Sequence, residues 1–105
     1  MKDYIINDIT VEWDDQKNDI NKKKHGISFR TAAYVFADPY RVEMYDEGHS
    51  FCEERYIVIG VIEKMLLVVY TMHMDNIRLI SVRIATREEE EFYYEYNKGI
   101  DKTWR

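Results

Sequence analysis

The chain has 105 residues, of which 46% are hydrophobic and 14% aromatic, with four glycines, one proline and a single cysteine, Cys52. This composition predicts one folded domain over residues 1–105, without disulfide bonds and in a reducing cytoplasm, and it excludes a disordered chain. The net charge of −5 argues against a surface that is basic all round, and no apolar run approaches the roughly 20 residues that span a bilayer.

The first third of the chain predicts a short strand followed by two helices. Residues 5–13 form either this strand or an extended entry to the domain, and Asp14 and Asp15 can cap a helix that runs to about His25. This first helix contains few apolar residues. We therefore expect it either to pack loosely or to present a polar working face.

The two predicted helices meet at the run Lys24-His25-Gly26-Ile27-Ser28-Phe29. Gly26 suits the left-handed residue that ends a helix, and Ser28 suits the N-cap of the next helix. Lys24 and His25 suit the last turn, where cations meet the negative end of the helix dipole. The same two side chains stand at an exposed corner that a polyanion could reach. The run can simply end one helix and begin the next, or it can also belong to a functional site. Both interpretations stay open.

After the second helix, which runs from Ser28 to about Phe36 and stops at Asp38-Pro39, the hydrophobic pattern changes to a period of two. Four strands are predicted: an edge strand around Val42 and Met44, and central strands over Arg55–Ile62, Leu66–Met72 and Ile77–Ala85. The short turns between them favour an antiparallel meander.

The last predicted element is a helix that begins at a capping box formed by Thr86 and Glu89. It carries an aromatic stripe that we expect to be core: Phe92, Tyr93 and Tyr96. Trp104 follows in a tail that is loose or docks on a partner. The predicted fold is α+β, with two N-terminal helices, a roughly four-stranded antiparallel sheet and a C-terminal helix.

The residues that could carry chemistry are a set of cations and one acid. The chain has no Walker loop, GxGxxG, CxxC pair or HExxH motif, and its three histidines lack metal-ligand spacing, so we expect no metal and no cofactor. The candidate site residues are Lys24, His25, Glu54, Arg55, Arg78 and Arg83.

This set suits cleavage of an RNA phosphodiester, because the 2′-hydroxyl of the substrate is the nucleophile. The protein then supplies a base, an acid for the leaving oxygen and donors for the phosphate charge. His25 or Glu54 could be the base, and Lys24 could be a donor. Surface ion pairing between Glu54 and an arginine explains the same residues without any function.

Arg78 and Arg83 are separated by an odd number of positions in the last predicted strand. In a regular strand they would point to opposite faces of the sheet. Both can reach one phosphate only if a bulge intervenes or if one acts from the strand end, and otherwise one of them is structural.

An ordered set of short motifs runs along nearly the whole chain. In order, it comprises Glu12-Trp13-Asp14, Lys17, Asn21, Lys24-His25-Gly26-Ile27-Ser28-Phe29, Ala32 or Ala33, Val35-Phe36, Asp38-Pro39, His49, Glu54-Arg55-Tyr56, Ile59-Gly60, Leu67-Val68-Val69-Tyr70-Thr71, Ile77-Arg78-Leu79-Ile80-Ser81-Val82-Arg83 and Ala85. In these motifs the chain resembles the BrnT-type toxins of bacterial type II toxin–antitoxin systems. It departs from the family pattern at Met72-His73, where a charged pair is common, and at Val82, where a small residue is common.

The resemblance implies a RelE-like fold and ribosome-independent RNA cleavage without a cofactor. It also implies neutralisation by a BrnA-type antitoxin with a ribbon-helix-helix DNA-binding domain, through which the pair represses its own promoter. By residue matching, it assigns the site to Lys24, His25, Glu54, Arg55, Arg78 and Arg83. The alternative is a co-repressor module that binds the antitoxin with weak or no nuclease activity. The acidic charge balance and the cation missing near His73 motivate that alternative.

Overall fold

The chain begins with a β-hairpin in the computed structural model, which describes residues 2–50 and 52–102. Strands β1 (Lys2–Ile6) and β2 (Ile9–Trp13) pair antiparallel across a two-residue turn, in which Asn7 and Asp8 have φ values of 49° and 66°. Asn and Asp tolerate this left-handed geometry, which hairpins of this length require. The prediction of a single strand from residue 5 to residue 13 is therefore wrong, because a turn lies inside the run.

Two helices, four more strands and a closing helix follow the hairpin. They are α1 (Asp15–His25), α2 (Phe29–Ala33) with a 3₁₀ turn over Tyr34–Ala37, β3 (Val42–Tyr45), a 3₁₀ turn over Glu47–His49, β4 (Tyr56–Val61), β5 (Met65–His73), β6 (Asn76–Ile84) and α3 (Arg87–Lys102). Within the described ranges, no helix is long and apolar enough to cross a membrane.

The strands form one six-stranded mixed sheet in the order β1-β2-β6-β5-β4-β3. The predicted α+β class, the meander from β3 to β6 and the edge position of β3 are confirmed. The four-stranded, fully antiparallel sheet behind two N-terminal helices is wrong. The hairpin precedes the helices and joins the sheet through parallel pairing of Val11 with Ile77 and Glu12 with Arg78. Pairing between segments so distant in sequence leaves no local pattern.

The residues predicted to end α1 and to cap α2 are confirmed, whereas α2 itself ends at Ala33 and continues to Ala37 as a 3₁₀ turn. Gly26 has φ of 73°, and its N–H donates to the Lys22 carbonyl at 2.8 Å, as the left-handed end of α1 requires. Ser28 caps α2 by accepting from the Thr31 N–H at 3.1 Å. Asp14 takes the extended N-cap conformation of α1, but its side chain makes no capping hydrogen bond.

Each face of the sheet is covered by a different helix. One face, here called the α2 face, packs on α2 and its 3₁₀ turn through Phe29, Val35 and Phe36. The other, here called the α3 face, packs on α3 mainly through Tyr93, which is 6% exposed. Phe92 and Tyr96 of the predicted core stripe are 47% and 58% exposed, so only one of its three residues is core. The predicted tail residue 104 lies outside the described residues.

Gly60 of β4 lies directly against Val35 in the 3₁₀ turn after α2. A Cβ at this position would lie 2.9 Å from Val35 Cβ and 3.1 Å from the Val35 carbonyl oxygen. The backbone oxygen cannot move away as the end of a flexible side chain could. Glycine at position 60 is therefore required by contact between the sheet and α2, and not by backbone conformation.

Replacing Gly60 with alanine should lower the free energy of unfolding by about 1–3 kcal/mol, since the added methyl group overpacks this contact. Gly48→Ala is the matched control, because the nearest atom to its added Cβ is Asp46 Oδ1 at 3.7 Å. Urea unfolding of both variants measures the difference. Equal stability of the two variants would contradict the close approach.

Candidate functional site

A groove of about 500 Å³ opens on the α3 face of the sheet, beside α3. Its floor is apolar and consists of Ile57, Leu67 and Val69. Ionisable side chains from five chain segments line it: Lys24 and His25, Asp46, His49, Arg55, Arg83 and Glu89. The groove therefore brings together four of the predicted site residues, which are Lys24, His25, Arg55 and Arg83.

The end of α1 reaches this groove because Asn21 binds the open edge of β6. Strand β2 pairs with β6 only at Ile77 and Arg78, so the second half of β6 has a free edge on that side. Asn21 is buried, its Nδ2 donates to the Val82 carbonyl at 3.0 Å, and its Oδ1 accepts from the Val82 N–H at 3.1 Å. The side-chain amide thus replaces a neighbouring strand. The same Nδ2 donates to the Ile27 carbonyl at 3.2 Å, which holds the turn that follows Lys24 and His25.

A bulge in β6 decides whether Arg78 and Arg83 point to the same face of the sheet. The pairing of β5 with β6 shifts register between Val69 and Tyr70, and Ile80 is the extra residue on β6. An extra residue moves the side chains beyond it to the other face. Arg78 and Arg83, which a regular strand would point to opposite faces, therefore both lie on the α3 face.

Arg83 forms a bidentate ion pair with Glu89 of α3. Its Nη1 donates to Oε1 at 2.7 Å, and its Nη2 donates to Oε2 at 2.8 Å. Glu89 also accepts from the Thr86 N–H at 2.8 Å, and its own N–H donates to Thr86 Oγ1, which confirms the capping box. The hydrogen bonds from Arg83 lower the pKa of Glu89 to about 2, and the carboxylate raises the pKa of Arg83.

Arg78 lies at the other end of β6, in a cluster around the buried carboxylate of Glu12. Its Nε and Nη2 lie 3.0 Å and 2.9 Å from Glu12 Oε2, and Asn76 Nδ2 donates to Oε1 at 3.0 Å. His73 Nδ1 lies 3.0 Å from the same Oε2. Burial acts to raise the pKa of Glu12, but the hydrogen bonds from these three side chains outweigh it and lower that pKa. Arg78 is thus on the same face as the groove but outside it.

Glu54 is also outside the groove. Its exposed carboxylate lies 3.5 Å from the hydroxyl of Tyr56, which stacks on Tyr70 of the α2-face core. Its backbone carbonyl accepts from Thr71 Oγ1 at 2.6 Å. The structure therefore does not bring the predicted acid to the four cationic residues that share the groove.

Asp46 and His49 line the groove, and neither was among the predicted site residues, although His49 belongs to the ordered set of motifs. His49 Nδ1 lies 3.1 Å from both carboxylate oxygens of Asp46. The available signal was their i, i+3 spacing in the loop after an edge strand, where a turn can bring a carboxylate onto an imidazole. Apart from its place in the motifs, His49 was considered only as a metal ligand, and that search found no ligand spacing.

The groove can bind an anion and transfer protons. Its cations are Lys24, Arg55 and Arg83, which can donate to an anion. Its carboxylates are Asp46 and Glu89, and Glu53 Oε1 lies 3.8 Å from Arg55 Nε beside it. Imidazole is the side chain that most often transfers protons in catalysis, and the groove contains two, those of His25 and His49. Across residues 2–50 and 52–102, no group of three or more His, Cys, Asp or Glu side chains could hold a metal ion.

The chain matches a known protein family over most of its length. The family described as the ribonuclease toxin BrnT of type II toxin–antitoxin systems matches residues 13–89. The matched range extends from the end of β2 to the first turn of α3, and it contains every residue that lines the groove. No curated protein matches the chain.

The Arg83–Glu89 pair should make stability depend on pH at the acid end. The pKa of Glu89 is about 2 in the folded protein and about 4.3 in an unfolded chain, so the stabilisation is fully present above about pH 4.3 and is lost as the pH falls towards 2. Urea unfolding should therefore show a stability difference between wild type and Glu89→Gln that shrinks below about pH 4.3.

Glu88→Gln is the control for this measurement, because Glu88 is an exposed residue of the same helical turn. Its difference from wild type should not narrow in the same way. A wild-type advantage over Glu89→Gln that stays constant down to about pH 2 would contradict the ion pair as the cause of the shift.

Proposed function

Since the chain belongs to the BrnT family of ribonuclease toxins from type II toxin–antitoxin systems, we propose that its groove cleaves RNA without a metal ion. The RNA 2′-oxygen attacks the adjacent phosphorus, a 2′,3′-cyclic phosphate forms, and the bond from phosphorus to the 5′-oxygen breaks. One protein group removes the 2′-hydroxyl proton, and another protonates the 5′-oxygen. The nucleophile belongs to the substrate, so no metal-bound hydroxide is needed.

The observation that carries this proposal is the convergence of Lys24, His25, Arg55 and Arg83 on one groove from three parts of the chain. The arginines suit the phosphate because a planar guanidinium donates to two oxygens and stays charged. Lys24 adds a compact positive charge to the lining of the groove, and His25 carries one of the two proton transfers. Glu54 has no part in this proposal, because its carboxylate lies against Tyr56.

Arg78 fits the proposal as a contact to a more distant part of the RNA. It projects from the same face as Arg83, and five strand positions of about 3.3 Å each separate the two residues by roughly 15 Å. A phosphate at Arg78 would therefore belong to a different nucleotide from the one cleaved. Asn76 and Glu12 hold the guanidinium site in place, and His73 lies beside it.

The partner of a type II toxin is a protein antitoxin, and we propose a BrnA-type antitoxin with a ribbon-helix-helix domain. DNA would then be contacted only through the antitoxin. The toxin would act in the cytoplasm as a single RelE-like domain over residues 1–105.

The co-repressor alternative is favoured by one observation, the bidentate Arg83–Glu89 pair. An internal carboxylate occupies both donors that would serve the phosphate, so RNA must displace it or share it. Weak cleavage by a protein that still binds its antitoxin would support this alternative.

Purified protein should cleave single-stranded RNA in the presence of EDTA and yield 2′,3′-cyclic phosphate ends. His25→Ala should lower kcat by about 10²-fold or more, the usual contribution of a proton-transfer group. Lys23→Ala is the matched control, because Lys23 lies in the same helical turn and is not among the residues that line the groove. Loss of activity with EDTA, or equal rates for the two variants, would contradict the proposal.

Arg78→Gln should raise KM for an RNA of several nucleotides and leave cleavage of a dinucleotide unchanged. Glutamine retains an amide that can donate to Glu12 but loses the charge that would bind phosphate. Steady-state kinetics on both substrates measure the effect. An equal loss on both substrates would instead indicate that Arg78 acts at the cleaved phosphate.

A further inference from the structure

The loop after β3 presents His49 to the groove in a defined orientation. Asp46 Oδ1 and Oδ2 both lie 3.1 Å from His49 Nδ1. An ionised carboxylate can only accept hydrogen bonds, so Nδ1 carries the proton. In neutral His49 the lone pair is then on Nε2. The side chain is 70% exposed, whereas Asp46 is 13% exposed, so solvent and substrate can reach the imidazole.

Three hydrogen bonds fix this loop against the residue before β4. The Asp46 N–H donates to the Arg55 carbonyl at 2.8 Å, and Ser50 Oγ donates to the Asp46 carbonyl at 2.6 Å. The Arg55 N–H in turn donates to Ser50 Oγ at 2.9 Å. The imidazole and the Arg55 backbone are therefore held in one hydrogen-bonded unit, which is what precise proton transfer beside a bound phosphate requires.

His25 reaches the same groove from α1, a separate segment of the chain. Charged groups of known position surround the two imidazoles: Lys24, Arg55 and Arg83 are cations, and Asp46 and Glu89 are carboxylates. The described residues include a third histidine, His73, which lies outside the groove beside Glu12. The groove thus contains two imidazoles on different segments, and one of them is oriented by a carboxylate.

We propose that His49 is the general base and His25 the general acid of the cleavage, with Asp46 as the positioning residue of His49. This inference rests on the proposed ribonuclease function. His49 Nε2 takes the 2′-hydroxyl proton as the 2′-oxygen bonds to phosphorus, and His25 gives a proton to the departing 5′-oxygen. The carboxylate favours the imidazolium that forms on His49, which assigns the base to this histidine. Water then returns both groups to their starting protonation states.

A substrate with an activated leaving group separates the two roles. On RNA, His49→Ala and His25→Ala should each lower kcat by about 10²-fold or more with little change in KM. A nucleoside 3′-(p-nitrophenyl phosphate) has a leaving group that departs without protonation. On this substrate His25→Ala should recover most of the wild-type rate, whereas His49→Ala should remain slow.

Two further variants show whether a lower rate comes from the lost imidazole or from a folding defect. His49→Asn should keep the wild-type unfolding midpoint and be as slow as His49→Ala. Glu47→Gln, a substitution in the same exposed turn, should keep wild-type rates on both substrates.

The role of Asp46 has its own readout in the pH–rate profile. Asp46→Asn replaces the carboxylate with a neutral amide, so the limb that reports the base should move to lower pH while the other limb stays in place. A purely structural role would lower the rate at every pH without moving either limb.

The outcomes distinguish this inference from the proposed function. If wild type cleaves RNA and His49→Ala cleaves it equally fast, the acid–base assignment is wrong and the ribonuclease proposal stands. Recovery of His49→Ala, and not of His25→Ala, on the activated substrate would also overturn the assignment. If wild type cleaves neither substrate, the proposed function fails and this inference fails with it.

Discussion

The geometry of the groove depends on the side-chain amide of Asn21. Helix α1 has little apolar surface with which to pack, and its apolar residue Ile20 is 64% exposed. The helix is held instead by polar contacts. The buried amide of Asn21 forms two hydrogen bonds with Val82 on the free edge of β6 and one with Ile27, and Asn18 Oδ1 accepts from the Phe29 N–H at 2.9 Å. A buried amide with satisfied donors and acceptors fixes position more narrowly than apolar contact does, because hydrogen bonds are directional. One helical turn later, Lys24 and His25 reach the groove.

The free edge of β6 exists because the parallel pairing with β2 is short. It covers only Ile77 and Arg78, where Glu12 receives the Arg78 side chain. Beyond that point the bulge at Ile80 reverses the facing of the strand, and α1 takes the place of a neighbouring strand. The same strand therefore holds one arginine against a buried carboxylate and delivers the second to the groove. The short pairing with β2 and the bulge at Ile80 together allow one strand to place its two arginines in these two different surroundings.

Local signals in the sequence predicted the parts of the structure that local chemistry decides. Gly26, Ser28 and the Thr86–Glu89 capping box act within a few residues of themselves, so their type and spacing were sufficient. The N-terminal hairpin was missed because its turn residues lie inside a strand-like run. The parallel pairing of β2 was missed because it joins segments more than sixty residues apart. The sequence indicated that Arg78 and Arg83 could share a face if a bulge lay between them. It could not show that the bulge is present, because this depends on how β5 and β6 align.

The sequence predicted only part of the candidate site, again because some of its geometry depends on the fold. Lys24, His25, Arg55 and Arg83 were predicted because their residue types bind phosphate or transfer protons, and the fold brings these four residues together. Neither Asp46 nor His49 indicates a role by its residue type alone. Their geometry for proton transfer arises only when the 3₁₀ turn brings the imidazole onto the carboxylate. Selection by residue type therefore finds phosphate donors more readily than it finds oriented bases.

Glu89 connects the fold to the chemistry, because one carboxylate both caps α3 and pairs with Arg83. A phosphate that takes the two guanidinium donors would remove the strongest partner of Glu89, while the capping hydrogen bond from Thr86 would remain. The carboxylate would then lose the interaction that keeps its pKa near 2, although its helix N-terminus still favours negative charge. If the groove binds RNA as proposed, that binding and the seating of the first turn of α3 would be energetically linked.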